Sequence, residues 1–213
     1  GVSVAEIRRA RNQFLDQTYR QQNSGAGYWA VKSGNLEYLQ EIMMEFEADD
    51  GTSDNGFQQV LNDFFNSWEE LSKDPSSVST RQAVVESGAS LISVLTEIDQ
   101  QCQQLRQDAA NRVKDAVDTL NDLAGQVAEL NKQITQSEAG GGEASYLRDQ
   151  RDSLLDEMSA LANIKVSVQS NGVMQVTING VTLVNGDRSY KLVAEGDGST
   201  ERPLTVTWAD FPC

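Results

Sequence analysis

The chain's 32 aspartates and glutamates are its most plentiful reactive groups, and they could serve as acid–base pairs or as ligands for a hard cation such as calcium. They cluster with turn residues at Asp49-Asp50-Gly51-Thr52-Ser53-Asp54-Asn55-Gly56, but the ligand order of an EF-hand fails there. Counted from Asp50, such a loop requires Gly at 55 and Glu at 61, where the chain has Asn55 and Leu61. A solvated loop is the expectation. The chain has no histidine, which removes Ser-His-Asp and Cys-His catalysis and the common zinc sites together. Glu69 and Glu70 are neighbours on a helical pattern, so they are expected to diverge rather than share a substrate. Gly88-Ala89-Ser90 lacks the following glycine of a nucleophile elbow and lies inside a helical pattern. Neither Gly25-Ala26-Gly27 nor Gly140-Gly141-Gly142 precedes the Lys-Ser/Thr pair of a phosphate loop, and both are read as turns. Cys102 sits at an apolar helical position and Cys213 is the last residue, so they form no disulfide framework or metal-ligand spacing. Tyr28, Trp29, Phe64, Phe65 and Trp68 could line a ligand cage, but aromatics at such spacings are expected in the core. No catalytic residue, metal site or cofactor site is expected, and the chain does not read as an enzyme.

Charge narrows the partners. Lys and Arg number 17 against 32 acids, and between Ser33 and Ser72 there are ten acids and no basic residue. Such a surface repels phosphate, which disfavours nucleic acid and anionic membrane. No apolar run approaches the roughly 20 residues that span a bilayer, and Gly1 opens no secretory signal. A cytoplasmic chain, a processed fragment, or export by a route that leaves no such mark would each fit.

The elements that carry these residues are mostly helices. One is expected from about Ala5 to Gln22, broken or loosened at Asn23 to Gly27, and another through Leu36, Leu39, Ile42, Met43 and Phe46. A third is expected to restart at Asp54 and to carry Phe57, Val60, Leu61, Phe64, Phe65, Trp68 and Leu71. Asp74-Pro75 reads as a stop followed by a new start, with Asp as cap and Pro in the first turn. The longest pattern runs from about Thr80 to Glu138. Its apolar or small positions include Leu91, Leu95, Ile98, Cys102, Leu105, Ala109, Val113, Ala116, Leu120, Leu123, Val127, Leu130 and Ile134. Steps of four and three alternate except around Ala109, where two successive fours relax the supercoil. Such a helix would be roughly 85 Å long, more than a compact enzyme core uses. The glycine triplet ends it, and Glu143 to Asn163 is expected to return antiparallel.

From Ile164 the period changes to two. Lys165 to Gln169 and Met174 to Ile178 flank Ser170-Asn171-Gly172, a hairpin turn, and Asn179-Gly180 supplies another. Further strands are expected over Thr182 to Val184, Ser189 to Ala194 and Leu204 to Trp208. About fifty residues hold little core, so this β module would need a neighbour or more chain. The expected fold is α+β, a long antiparallel helical bundle or rod followed by a small antiparallel β module. The expected domains are 1–163 and 164–213.

One stretch carries more than its periodicity. In LRDQRDSLLDEMSALANI, Leu147, Leu154, Leu155, Met158 and Leu161 lie at intervals of 7, 8, 11 and 14 from the first and share a helical face. Arg148, Asp149, Arg151 and Asp152 are expected to face elsewhere, as a solvated charged face. Read with its neighbours, however, the string is specific. GVSVAEIRRARNQFLDQTYR at the start, Gly27-Tyr28-Trp29, FFNSWEELSKDP from Phe64 to Pro75 (with Phe65 and Trp68), and LRDQRDSLLDEM from Leu147 to Met158 (with Gln150) occur in order. Together they resemble the flagellar hook-associated protein 1 family, over at least Gly1 to about Gly186.

The resemblance implies a structural component of the bacterial flagellum at the hook–filament junction. It implies a helical axial-protein domain with the β module projecting outward, and these motif residues acting structurally. Implied partners are the hook protein, hook-associated protein 3, further copies in a ring and a flagellar export chaperone. Export through the flagellar type III apparatus is implied as well, which places the protein outside the cell. Family members carry terminal helices at both ends that pair and drive polymerisation. Neither tail is found here, so the chain is expected to be a fragment. A flagellin-like filament subunit or a secreted coiled-coil surface adhesin would share the acidic, cysteine-poor, histidine-free character. A cytoplasmic coiled-coil adaptor would share only the helices.

Overall fold

The structure, a computed structural model, describes residues 13–44, 57–139, 141, 144–169 and 173–209. The acidic loop at Asp49 to Gly56, the start of the opening helix, the Ser170 to Gly172 turn and Cys213 lie outside the described residues. The elements are α1 (Gln13–Met44), α2 (Phe57–Lys73), α3 (Val78–Glu138) and α4 (Ser145–Leu161), then β1 (Ile164–Val168), β2 (Met174–Ile178), β3 (Val181–Asn185), β4 (Arg188–Ser189), β5 (Leu192–Glu195) and β6 (Thr205–Trp208). Long helices followed by antiparallel strands make the expected α+β class. The chain divides into two compact units. One comprises Gly1–Ala30, Arg112–Gly196 and Leu204–Cys213, and the other Val31–Asn111 and Asp197–Pro203. The expected boundary at 163/164 falls inside the first unit.

In the first unit, β1-β2-β3-β4 form one antiparallel sheet and β5-β6 a second, so the strand expected over Ser189 to Ala194 is two short strands in different sheets. Asn179 and Gly180, at φ 49° and 83°, turn β2 into β3 with the positive angles of a type I′ hairpin. The sheet does not stand on its own core. Val176, Leu183 and Val184 join Leu120, Ala124, Val127, Leu155 and Met158 in one buried cluster, so the strands complete the hydrophobic face of α3 and α4. The single stripe expected along α3 is incomplete here. Val117, Ala124 and Ala128 are buried although they lie off it, while Val113, on the stripe, is exposed. A helix packed against both a helix and a sheet must bury a wider face than one seam.

In the second unit, α2 packs on the N-terminal part of α3. A Cβ added to Gly88 would lie 3.6 Å from Phe64, and the hydroxyls of Ser67 and Ser87 are 2.8 Å apart. Asp74 does not cap α3. Its helix begins at Val78, and Ser77 Oγ accepts the Thr80 amide at 3.4 Å, while Asp74 O accepts the hydroxyl of Thr80 at 2.9 Å. Glu69 and Glu70, expected to diverge, converge on the Lys73 ammonium at 2.9 and 2.7 Å. Hydrogen bonds to Glu70 and then Glu69 push that ammonium up to about 12 from 10.5. Lys is three residues from one acid and four from the other, and both spacings put side chains on the same helix face.

Candidate functional site

The described residues most distinctive in type and placement surround α4. Its N-terminus has no side-chain cap of its own. Glu138, the last residue of α3, substitutes by accepting the Ala144 amide at 3.2 Å. The same carboxylate takes a fork from Arg148, whose Nε and Nη2 each donate at 2.8 Å. One turn further, Arg151 Nη1 donates to Asn131 Oδ1 at 3.0 Å, and Asn131 Nδ2 donates onward to Gly186 O at 2.8 Å. Pairs 138/148 and 131/151 run in opposite senses, so α3 and α4 are antiparallel, as expected. Asn121 of α3 acts as a second clamp. Its Nδ2 donates to Leu192 O and its Oδ1 accepts the Leu192 amide, both at 2.9 Å.

The other side of α4 meets α1. Arg20 Nε donates to Asp156 Oδ1 at 2.8 Å, its Nη2 lies 3.8 Å from Asp152 Oδ1, and Asn23 Nδ2 donates to Asp156 O and Ser159 Oγ at 3.1 and 2.9 Å. A Cβ on Gly27 would lie 2.6 Å from Ala160 O. Residues 20, 23 and 27 fall on one face of α1 and meet rising positions on α4, so these helices run parallel. This corrects the turn expected at Asn23 to Gly27. The segment stays helical through all 32 residues of α1. Glycine there serves close helix approach and Asn23 serves the seam, so tertiary contact overrides their weak helix propensity.

The motif residues fall into three environments. Leu155 and Met158 are fully buried and Leu147 and Leu154 partly so, but Leu161 is 43 % exposed despite sharing their face. The charged face is not uniformly solvated. Arg151 and Asp152 are 9 % and 8 % exposed and Arg148 is half-buried, while Asp149 and Gln150 face solvent. Charges are buried when they are paired, and here α1 and α3 bring the partners from either side. The aromatics, expected in the core, are mostly outside. Tyr28, Trp29, Phe65 and Trp68 are exposed and Phe64 is half-buried. Tyr28 and Trp29 meet edge to face at 5.3 Å, as do Phe64 and Phe65 at 5.5 Å and Phe64 and Trp68 at 6.3 Å. One helical contact face per helix leaves neighbouring positions such as 65 and 68 outside it. Arg20 closes the opening motif block, whereas Asn23, Asn121 and Asn131 belong to no motif. Asparagine in a helix interior is a usable signal, because it forms such interiors poorly unless a partner compensates.

Glu138 makes a pH prediction. The Arg148 fork, with the Ala144 amide adding to it, holds its carboxyl below the usual value of 4.5. A depressed folded-state pKa contributes stability that is complete above about 4.5 and is lost as pH falls through the lower folded value. Glu138→Gln should therefore be less stable than the parent at pH 7, by at most about 1 kcal/mol for so accessible a pair. Urea melts should show the two chains converging in acid, and an equal gap at pH 7 and pH 3 would sink this account.

Among the described residues no group of three His, Cys, Asp or Glu could hold a metal ion, and no helix is long and apolar enough to cross a membrane. Cys102 is a free, half-buried thiol. The family described as "Flagellar hook-associated protein FlgK helical domain" matches residues 47–211. Flagellar hook-associated protein 1 of Bacillus subtilis (strain 168) is 34 % identical over 172 residues, covering 81 % of this chain and 33 % of that protein. The protein of the same name in Escherichia coli (strain K12) is 28 % identical over 213 residues, covering 99 % and 38 %. The solved flagellar hook junction protein FlgK from Burkholderia pseudomallei superposes with a TM-score of 0.67 at 26 % identity, over 93 % of this chain and 34 % of that one. The chain thus spans about a third of the length of these relatives. With the family matching residues 47–211, well over half of its length, the chain belongs to the FlgK helical domain family of flagellar hook-associated proteins.

Proposed function

We propose that this chain is part of a structural junction protein of the bacterial flagellum, joining hook to filament without making or breaking a bond. The observation that carries the reading is the family match across residues 47–211, supported by the TM-score of 0.67 to a hook junction protein. The chemistry of the fold agrees. Its buried polar side chains are spent on holding α4 between α1 and α3, an investment that serves a rigid part better than a reacting one. On this reading Arg148, Arg151, Asp152 and Gly27 act by fixing helix positions, and the strands from 164 onward face away from the flagellar axis. The partners are the hook protein on one side, hook-associated protein 3 on the other and further copies around a ring. A flagellar chaperone delivers the protein, and the type III apparatus exports it to the extracellular flagellum. A flagellin-like subunit and an adhesin are less favoured, because the named relatives are hook-associated proteins.

The test is electron microscopy of cells deleted for the parent gene, with flagellin assayed in the medium. Hooks without filaments and flagellin lost to the medium are expected. Normal filaments would overturn the proposal.

A further inference from the structure

The connection between β5 and β6 is not an open loop. Asp197 N and Gly198 N both donate to Arg202 O, at 3.1 and 3.2 Å. The Ser199 amide donates to Asp197 Oδ1 at 2.9 Å, and the Arg202 amide donates to Ser199 Oγ at 3.0 Å. The segment is thus folded by its own hydrogen bonds before any outside contact is counted. What holds it to α3 is a separate and small set of interactions. Arg106 Nε and Nη2 fork onto Gly198 O at 3.0 and 2.8 Å, and Nη1 reaches Thr200 Oγ1 at 3.3 Å. Beneath the fork, a Cβ on Gly198 would lie 2.9 Å from Ala110 Cβ and 3.0 Å from Arg106 O, and its φ is +79°. Only glycine fits that seat, for reasons of both space and backbone angle. Ala110 is 4 % exposed, yet Arg106 is exposed and the segment brings no large apolar side chain to α3.

We propose that residues 197–203 form a detachable strap, pre-folded within itself and buttoned to α3 by Arg106 at the Gly198 seat. The separation of the two bond sets makes it a device. Breaking the Arg106 fork releases the strap while its internal bonds and the β5–β6 pairing stay intact. Little apolar surface is uncovered, so opening is local and lies far below global unfolding.

The test uses the whole chain with Cys102→Ser and Cys213→Ser, spin labels at exposed positions 97 and 201, and distance distributions from pulsed electron resonance. The parent should give one narrow distribution. Arg106→Ala should add a second, longer population, raising the ratio of detached to seated strap about tenfold, the scale of a lost charged donor. Arg106→Lys, which keeps the charge but loses the fork, should fall between. Gly198→Ala attacks the seat from the other side and should give the same second population. Hydrogen exchange at 192–195 and 205–208 should be unchanged in all three. A single narrow distribution in both Arg106→Ala and Gly198→Ala overturns the proposal, and so does release accompanied by loss of protection across β5 and β6.

Discussion

Gly27→Ala is expected to destabilise the chain by about 1–3 kcal/mol, whereas Gly25→Ala is expected to stabilise it by up to about 1 kcal/mol. Both glycines lie within α1, and on helix propensity alone both changes should help. Space separates them. At Gly27 the new methyl would meet the carbonyl oxygen of Ala160 at 2.6 Å, a backbone atom of α4 that moves only if the helix moves. At Gly25 nothing lies within 4 Å. The displacement would be felt at the neighbouring Asn23 and Arg20 bonds, which need α1 and α4 at their present spacing. Urea denaturation followed by circular dichroism reads both signs, and a stabilised Gly27→Ala would refute the close approach.

Leu155→Ala should cost about 2–5 kcal/mol, and Leu161→Ala less than about 1 kcal/mol, although the two share a helical face. Leu155 is 0 % exposed and belongs to the buried cluster that α3, α4 and the sheet share, so truncation leaves a cavity within that cluster. Leu161 ends α4 and keeps much of its surface in water, so truncation removes little buried area. Midpoints of urea unfolding at unchanged slope would measure the contrast, and equal losses at the two leucines would refute the placement of the core.

That contrast marks where sequence reading stops. Periodicity located α3 and α4 almost to their ends because long regular spacing survives local exceptions, and the switch to period two at Ile164 marked the first strand. It could not weigh members of one face against each other, since burial depends on which element lies opposite. The charged face of α4 is the clearest case. Spacing sets Asp152 off the leucine face and Arg148 at its margin, but Arg151, four residues after Leu147 and four before Leu155, falls within it, so only Asp152 and Arg148 are positions that the arrival of Arg20 on one side and Glu138 on the other turns from solvent into a paired, half-dry seam. The run Asn23 to Gly27 fails in the opposite sense. Its residues favour a turn locally, and a distant helix recruits the same small and polar groups for packing. The aromatics at 28, 29, 65 and 68 are exposed against expectation because hydrophobicity indicates a preference for burial without supplying a partner. Resemblance to a family found the block at Leu147 to Met158, but the asparagines that anchor α3 to the strands carried no motif at all.

One of those asparagines has a consequence for solubility. Strand residues alternate in the direction of their backbone groups, so Leu192 and Ala194 turn their amides and carbonyls to the side of β5 that β6 leaves open. An unpaired strand margin is a template on which another chain can add and begin to aggregate. Asn121 occupies both groups of Leu192 with one carboxamide, in the way an incoming strand would. The helix thereby plugs the first docking position on that margin, so a stray strand finds its opening pair of hydrogen bonds already taken.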